Sequence, residues 1–137
     1  MNAPSQFSGF PRECVQFYED LKKNNNKEWY EAHKGDFQNY VMSPAHDYVV
    51  AMGQMLKQIA PGVVADPRIN KSIFRPFRDV RFSKDKAPYK THLGIFFWEG
   101  KLRKMDCPGF YLHLEPPILM LGVGNHCFSR DLLELYR

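Results

Sequence analysis

Apolar residues recur at helical spacing through the first sixty positions, and the pattern then changes to alternation. Phe10, Cys14, Phe17 and Leu21 share one helical face, leaving Glu19, Asp20, Lys22 and Lys23 largely outside. A helix is therefore predicted after "SGFPREC", with Ser8 or Gly9 as its cap and Pro11 in its first turn. The run "NNN" breaks the pattern, because Asn side chains compete for backbone hydrogen bonds. Asn25 and Glu28 have capping-box spacing. Trp29, His33, Phe37, Tyr40 and Val41 form the inner stripe of a second helix. Ser43 and Pro44 restart the pattern as cap and first turn of a third, whose inner face is Tyr48, Val49, Met52, Leu56 and Ile59. Pro61 and Gly62 end it.

Beyond Asp66-Pro67 the period shortens. "SIFR" is a short strand candidate, and residues 77–93, with no clean period, read as an ordered loop. "GIFFWEG" is bounded by turn residues and predicts a strand; "GFYLHLE" and "PPILMLGVGN" predict two more. "SRDLLELYR" begins a helix at Ser129. Helices followed by strands and a last helix predict an α+β fold. Its N-terminal helices would pack on a largely antiparallel sheet, with a C-terminal helix begun at the chain end. The 137 residues suit a single domain over 1–137.

Charge narrows the picture more than composition does. The chain has 19 basic and 15 acidic residues. Six of the basic ones and two of the acidic ones lie between Arg75 and Lys90, which leaves 13 of each elsewhere. The formal excess of +4 therefore sits in one short segment of an otherwise neutral body. No apolar run approaches the roughly 20 residues of a membrane span, so no membrane partner is expected. "MNAPSQFSGF" shows no secretory pattern. Cys14, Cys107 and Cys127 are odd in number and scattered, which predicts a reducing, cytoplasmic setting.

The segment "FRDVRFSKDKAPYKTH" carries the candidate chemistry. Arginine suits planar recognition of phosphate or carboxylate. Arg78, Arg81, Lys84, Lys86, Tyr89 and Lys90 are therefore candidate ligand-binding residues for a small anion. Asp79 and His92 are the candidates for moving a proton if the site is catalytic. Pro88 stiffens the segment and keeps Ala87 out of helix. Three other readings stay open: a structural salt-bridge loop built on Asp79 and Asp85, a nucleic-acid-binding module with Phe82 or Tyr89 stacked on bases, and a module docking an acidic protein.

No cofactor or metal is expected. His113 and Glu115 alternate on one strand face at a spacing that supplies two ligands, but no second close pair completes a zinc pattern. "GVGN" lacks the rest of a phosphate loop, and no nucleophile motif of the GxSxG type occurs. Cys14 lies on an apolar face and is expected in the core.

"NNNKEWYEAHKGDF", "FRDVRFSKDKAPYKTHLGIFF" and "GFYLHLEP", in that order, resemble the domain of unknown function family 2461, found mainly in bacteria. The resemblance runs from about Phe10 to Arg137. Asn25, Trp29, Arg78, Asp79, Arg81, Phe82, Lys84, Asp85, Lys86, Pro88, Tyr89 and Lys90 match its pattern. Tyr30 and Pro76-Phe77 are small departures from it. The resemblance implies a fold more than a reaction. Family members usually continue past the position of Arg137, which implies that a C-terminal part of the domain is lacking here. That implication, with the apolar residues of the last segment, makes self-association through 129–137 an expectation.

Overall fold

The computed structural model describes residues 7–125. α1 covers Arg12–Lys23, with Glu13 in its first turn and Lys22 and Lys23 in its last, both favourable to the helix dipole. Its N-cap is Pro11 in an extended conformation, so the cap lies further along than Ser8 or Gly9. Cys14, Phe17, Tyr18 and Leu21 are buried. α2, Lys27–Ala32, is capped by Asn26, whose side chain accepts from the Trp29 N–H at 2.8 Å. Asn25 is thus free for another task. The one-residue shift turns the inner face: Tyr30 is buried, while Trp29 and His33 are half-buried and stacked on each other at 4.0 Å.

α3, Lys34–Phe37, runs into a wide π turn, Gln38–Met42, and then into α4, Ser43–Leu56. Ser43 has helical backbone angles and does not cap, so the predicted restart is a continuation. The wide turn sits just before Pro44, whose ring and missing N–H make an ordinary α turn costly. α4 buries Tyr48, Val49 and Leu56 as expected, together with Ala45 and Gly53. It ends at Leu56, which leaves Ile59 beyond it and exposed.

The sheet has four antiparallel strands in the order β1-β2-β3-β4: Val63–Val64, Leu93–Glu99, Pro108–Glu115 and Ile118–Asn125. "SIFR" contributes no strand. Ile73 alone bridges Ile95, flanked by bonds from Phe74 N–H to Gly94 O (3.0 Å) and from Phe96 N–H to Ser72 O (2.7 Å). Alternation assigns the two faces of the sheet. Leu93 pairs Leu114, Ile95 pairs Leu112 and Phe97 pairs Phe110, and this face meets the helices, with Tyr48 5.9 Å from Phe97. The outward face carries Gly94 opposite His113, Phe96 opposite Tyr111 and Trp98 opposite Gly109. This is the α+β arrangement, helices on one face of an antiparallel sheet. The predicted helix from Ser129 lies outside the described residues. No described helix is long and apolar enough to cross a membrane.

Candidate functional site

The basic segment is an irregular loop closed at its neck. Phe77 and Tyr89 bridge, and Arg78 N–H to Pro88 O (2.9 Å) and Lys90 N–H to Pro76 O (2.8 Å) flank the bridge. The buried Tyr89 ring stacks on Tyr30 at 4.0 Å. Asn25 binds the Tyr89 backbone on both sides: its Nδ2 donates to Tyr89 O (2.8 Å), and its Oδ1 accepts from Tyr89 N–H (3.1 Å). The loop is thereby fixed to the start of α2.

The candidate cations divide into two groups. Arg78 turns inward, with its side chain 28% exposed. Its Nη1 donates to Ala87 O at 2.8 Å and lies 3.5 Å from the Asp85 carboxylate. Arg81 turns outward and makes a two-pronged pair with Asp79, at 3.0 and 2.9 Å. That pair, chiefly its hydrogen bonds, lowers the Asp79 pKa and raises that of Arg81. Lys86 donates to Val80 O at 2.6 Å, and Lys84 is exposed with no hydrogen bond or ion pair to a described residue.

A hollow of about 270 Å³ lies behind the loop, lined by Asn25, Arg78, Asp85, Tyr89, Lys90 and His92 among others. Of the predicted ligand-binding residues, Arg78, Tyr89 and Lys90 border it. Arg81, Lys84 and Lys86 do not, and neither does Asp79. Lys90 is half-buried; its ammonium lies 5.6 Å from the Phe74 ring and has no hydrogen bond or ion pair to a described residue. Burial lowers its pKa, and the Arg75 charge lowers it further. A roomier hollow of about 330 Å³, around Phe74, Phe96, Met105 and Tyr111, is lined mainly by apolar groups and has no converging charges.

Beside His92 the outward face of the sheet carries a polar network that the sequence showed only in part. Tyr111, His113 and Glu115 follow one another on one face of β3. The Tyr111 hydroxyl lies 2.9 Å from His113 Nδ1, and His113 Nε2 lies 3.3 Å from Glu115 Oε1. Thr91 donates its hydroxyl proton to Glu115 Oε2 at 2.7 Å. The His92 ring stacks on that of His113 at 4.2 Å. Burial, with His113 adding to it, lowers the His92 pKa against the opposing pull of Glu115. The Thr91 bond is the main cause lowering the Glu115 pKa. Gly94 opposes His113, and a Cβ there would meet the Phe74 ring at 2.9 Å, so glycine lets Phe74 settle over the strand. His92 is placed there by the register of β2 against β3, which the sequence does not show. With Leu93 opposite Leu114, His92 falls opposite Glu115 one step past the last pair.

No curated protein and no solved structure matches the chain. The family model described as conserved hypothetical protein (DUF2461) matches residues 13–137, and the chain belongs to that family.

Proposed function

We propose that the protein binds a small phosphorylated or carboxylated molecule in the hollow bordered by Arg78, Lys90 and His92. One observation carries this reading: Lys90 is half-buried, and its ammonium has no hydrogen-bonding or ion-pairing partner among the described residues. Charges withdrawn from water are ordinarily paired. An anion in the hollow would meet Lys90 and the inner edge of Arg78, whose remaining donors are positioned by the Ala87 carbonyl. Arg81, Lys84 and Lys86 then act at a distance, as an attractive field screened by salt. Free, buried Cys14 and Cys107 support the cytoplasmic setting.

The test is titration of inorganic phosphate and a panel of small phosphate esters and carboxylates, followed by calorimetry, against wild type and Lys90→Gln. Loss of one charge-assisted bond weakens binding by roughly 1.5–3 kcal/mol. Wild type that binds no member of the panel, or a folded Lys90→Gln that binds as wild type does, sinks the reading.

A second reading, binding of single-stranded nucleic acid, is favoured by Phe82. Its ring is 94% exposed on the loop, with the Arg81 guanidinium 5.6 Å from its centre. An exposed ring among cations is what a stacked base needs. With about five phosphate contacts, log affinity for a single strand falls against log salt with a slope near −3.5. Phe82→Ala then weakens oligonucleotide binding and leaves phosphate binding unchanged.

A further inference from the structure

We infer that His92, His113 and Glu115 form a binding site for a divalent transition metal at the edge of the hollow. The three side chains offer ligand atoms that all lie within 4.8 Å of one another. They come from the position just before β2 and from the end of β3, 21 and 2 residues apart in sequence, so spacing alone does not show the set.

Four features suit a metal. The donors are two imidazoles and one carboxylate, a set found at zinc and iron sites that keep positions open for a further ligand. His113 Nε2 and Glu115 Oε1 are 3.3 Å apart. That is the edge of a tetrahedron whose metal–ligand bonds are about 2.0 Å long. Both residues have outer partners on the opposite atom: Tyr111 on His113 Nδ1 and Thr91 on Glu115 Oε2. Such partners fix ring orientation and ligand basicity at metal centres. Finally, His92 makes no hydrogen bond to a described residue, although it is half-buried.

A self-contained polar network accounts for Tyr111, His113, Glu115 and Thr91, but it leaves His92 without a hydrogen-bonding partner among the described residues. A metal accounts for all of them. In the stacked arrangement the two ring planes lie within 16° of parallel, and their lone pairs do not converge. His92 must therefore tilt out of the stack as the ion binds. It precedes β2 and borders the hollow, which gives the ring room to move.

The metal site shares His92 with the wall of the anion hollow, but Lys90 and Arg78 are not among its ligands, so Lys90→Gln separates the two readings. The experiment uses the untagged 137-residue chain, stripped by chelator and titrated calorimetrically with Zn²⁺, with Co²⁺ absorption as a second readout. One equivalent of Zn²⁺ is expected to bind. His92→Ala and Glu115→Gln should each weaken it by more than about 100-fold, and Tyr111→Phe by about 10-fold, the lower end for loss of an outer partner. Lys90→Gln should bind Zn²⁺ as wild type does, whatever it does to phosphate. Thermal melts establish that each variant is folded; if one ligand variant is not, the other decides. Failure of wild type to take up Zn²⁺, or uptake unchanged in the folded ligand variants, overturns the assignment.

Discussion

Asn25 and Tyr89, 64 residues apart, are joined by two hydrogen bonds, the side-chain amide of one satisfying both backbone groups of the other. The pair connects the turn between α1 and α2 to the neck of the basic loop. Tyr89 is buried, so neither of its backbone groups can turn readily to water if the amide is lost. Asn25→Ala should destabilise the protein by roughly 2 kcal/mol, two bonds at about 1 kcal/mol each. Asn25→Asp keeps the acceptor but loses the donor, and should fall between. Urea denaturation gives the magnitudes. Hydrogen exchange should show the loss of protection centred on residues 77–90, and a uniform loss would contradict the role given to Asn25.

The two arginines should separate in their effects on stability. Arg78 holds the loop from inside, through Ala87 O and Asp85. Arg78→Ala leaves a carbonyl without its donor and should cost roughly 1.5–3 kcal/mol, the range for hydrogen bonds to charged groups. Arg81 is 76% exposed, and its partner Asp79 is exposed too. Exposed ion pairs contribute little, so Arg81→Ala should leave the denaturation midpoint unchanged. Equal effects from the two substitutions would show that inward and outward placement is not the deciding difference.

This division marks how far the sequence could be read. The three strands from 93 to 125 and the buried faces of α1 and α4 follow from periodicity, because burial imposes it; the predicted stripe of the second helix holds only at Phe37 and Val41, with Tyr30 buried in place of Trp29 and Tyr40 exposed. The loop at 77–92 was legible as a place of concentrated charge, since charge can be counted. Its geometry was not, because the side chain of Asn25 and the ring of Tyr30 shape it from far away in sequence. Asn25 itself looked like a helix cap, and local rules cannot tell which of three consecutive asparagines caps α2 and which is left to grip Tyr89. The sequence offers His92 as a candidate for moving a proton. Its place beside His113 and Glu115 depends on the register of β2 against β3, which alternation within each strand does not specify.

Gly109 tests that register. A Cβ at this position would clash with the Phe97 carbonyl oxygen and lie 2.9 Å from the Phe96 ring. The carbonyl cannot move without disturbing the β2–β3 ladder. Gly109→Ala should therefore destabilise by at least about 1–3 kcal/mol, the cost of overpacking. It should also perturb NMR shifts along β2 more than along α1. A stability equal to wild type would mean that the strands approach less closely than described.

The last prediction concerns acid. Asp66 receives the Arg68 side chain at 2.9 Å on Oδ1 and at 3.1 and 2.6 Å on Oδ2, with the Arg68 N–H also on Oδ1 at 3.1 Å. Chiefly through the side-chain bonds, and against the effect of burial, Arg68 lowers the Asp66 pKa from 3.8 to about 2. The folded state thus holds the proton less tightly than the unfolded chain does. Stability from this pair is complete above about pH 4 and declines as pH falls toward 2, where the folded carboxylate takes up its proton. The loss should reach beyond the pair. Asp66 N–H donates to Ser72 Oγ (3.0 Å), Ser72 N–H donates to Asp66 O (2.9 Å), and Ser72 O receives the Phe96 N–H of β2. Two residues on, Phe74 lies over Gly94 beside Lys90. Arg68→Ala should return the Asp66 pKa toward 3.8, followed by the carboxyl carbon shift in NMR, and flatten the stability profile between pH 4 and 2. If Asp66 titrates near 3.8 in the wild type, its pair with Arg68 contributes nothing to the acid response, and the acid sensitivity of this turn must arise elsewhere.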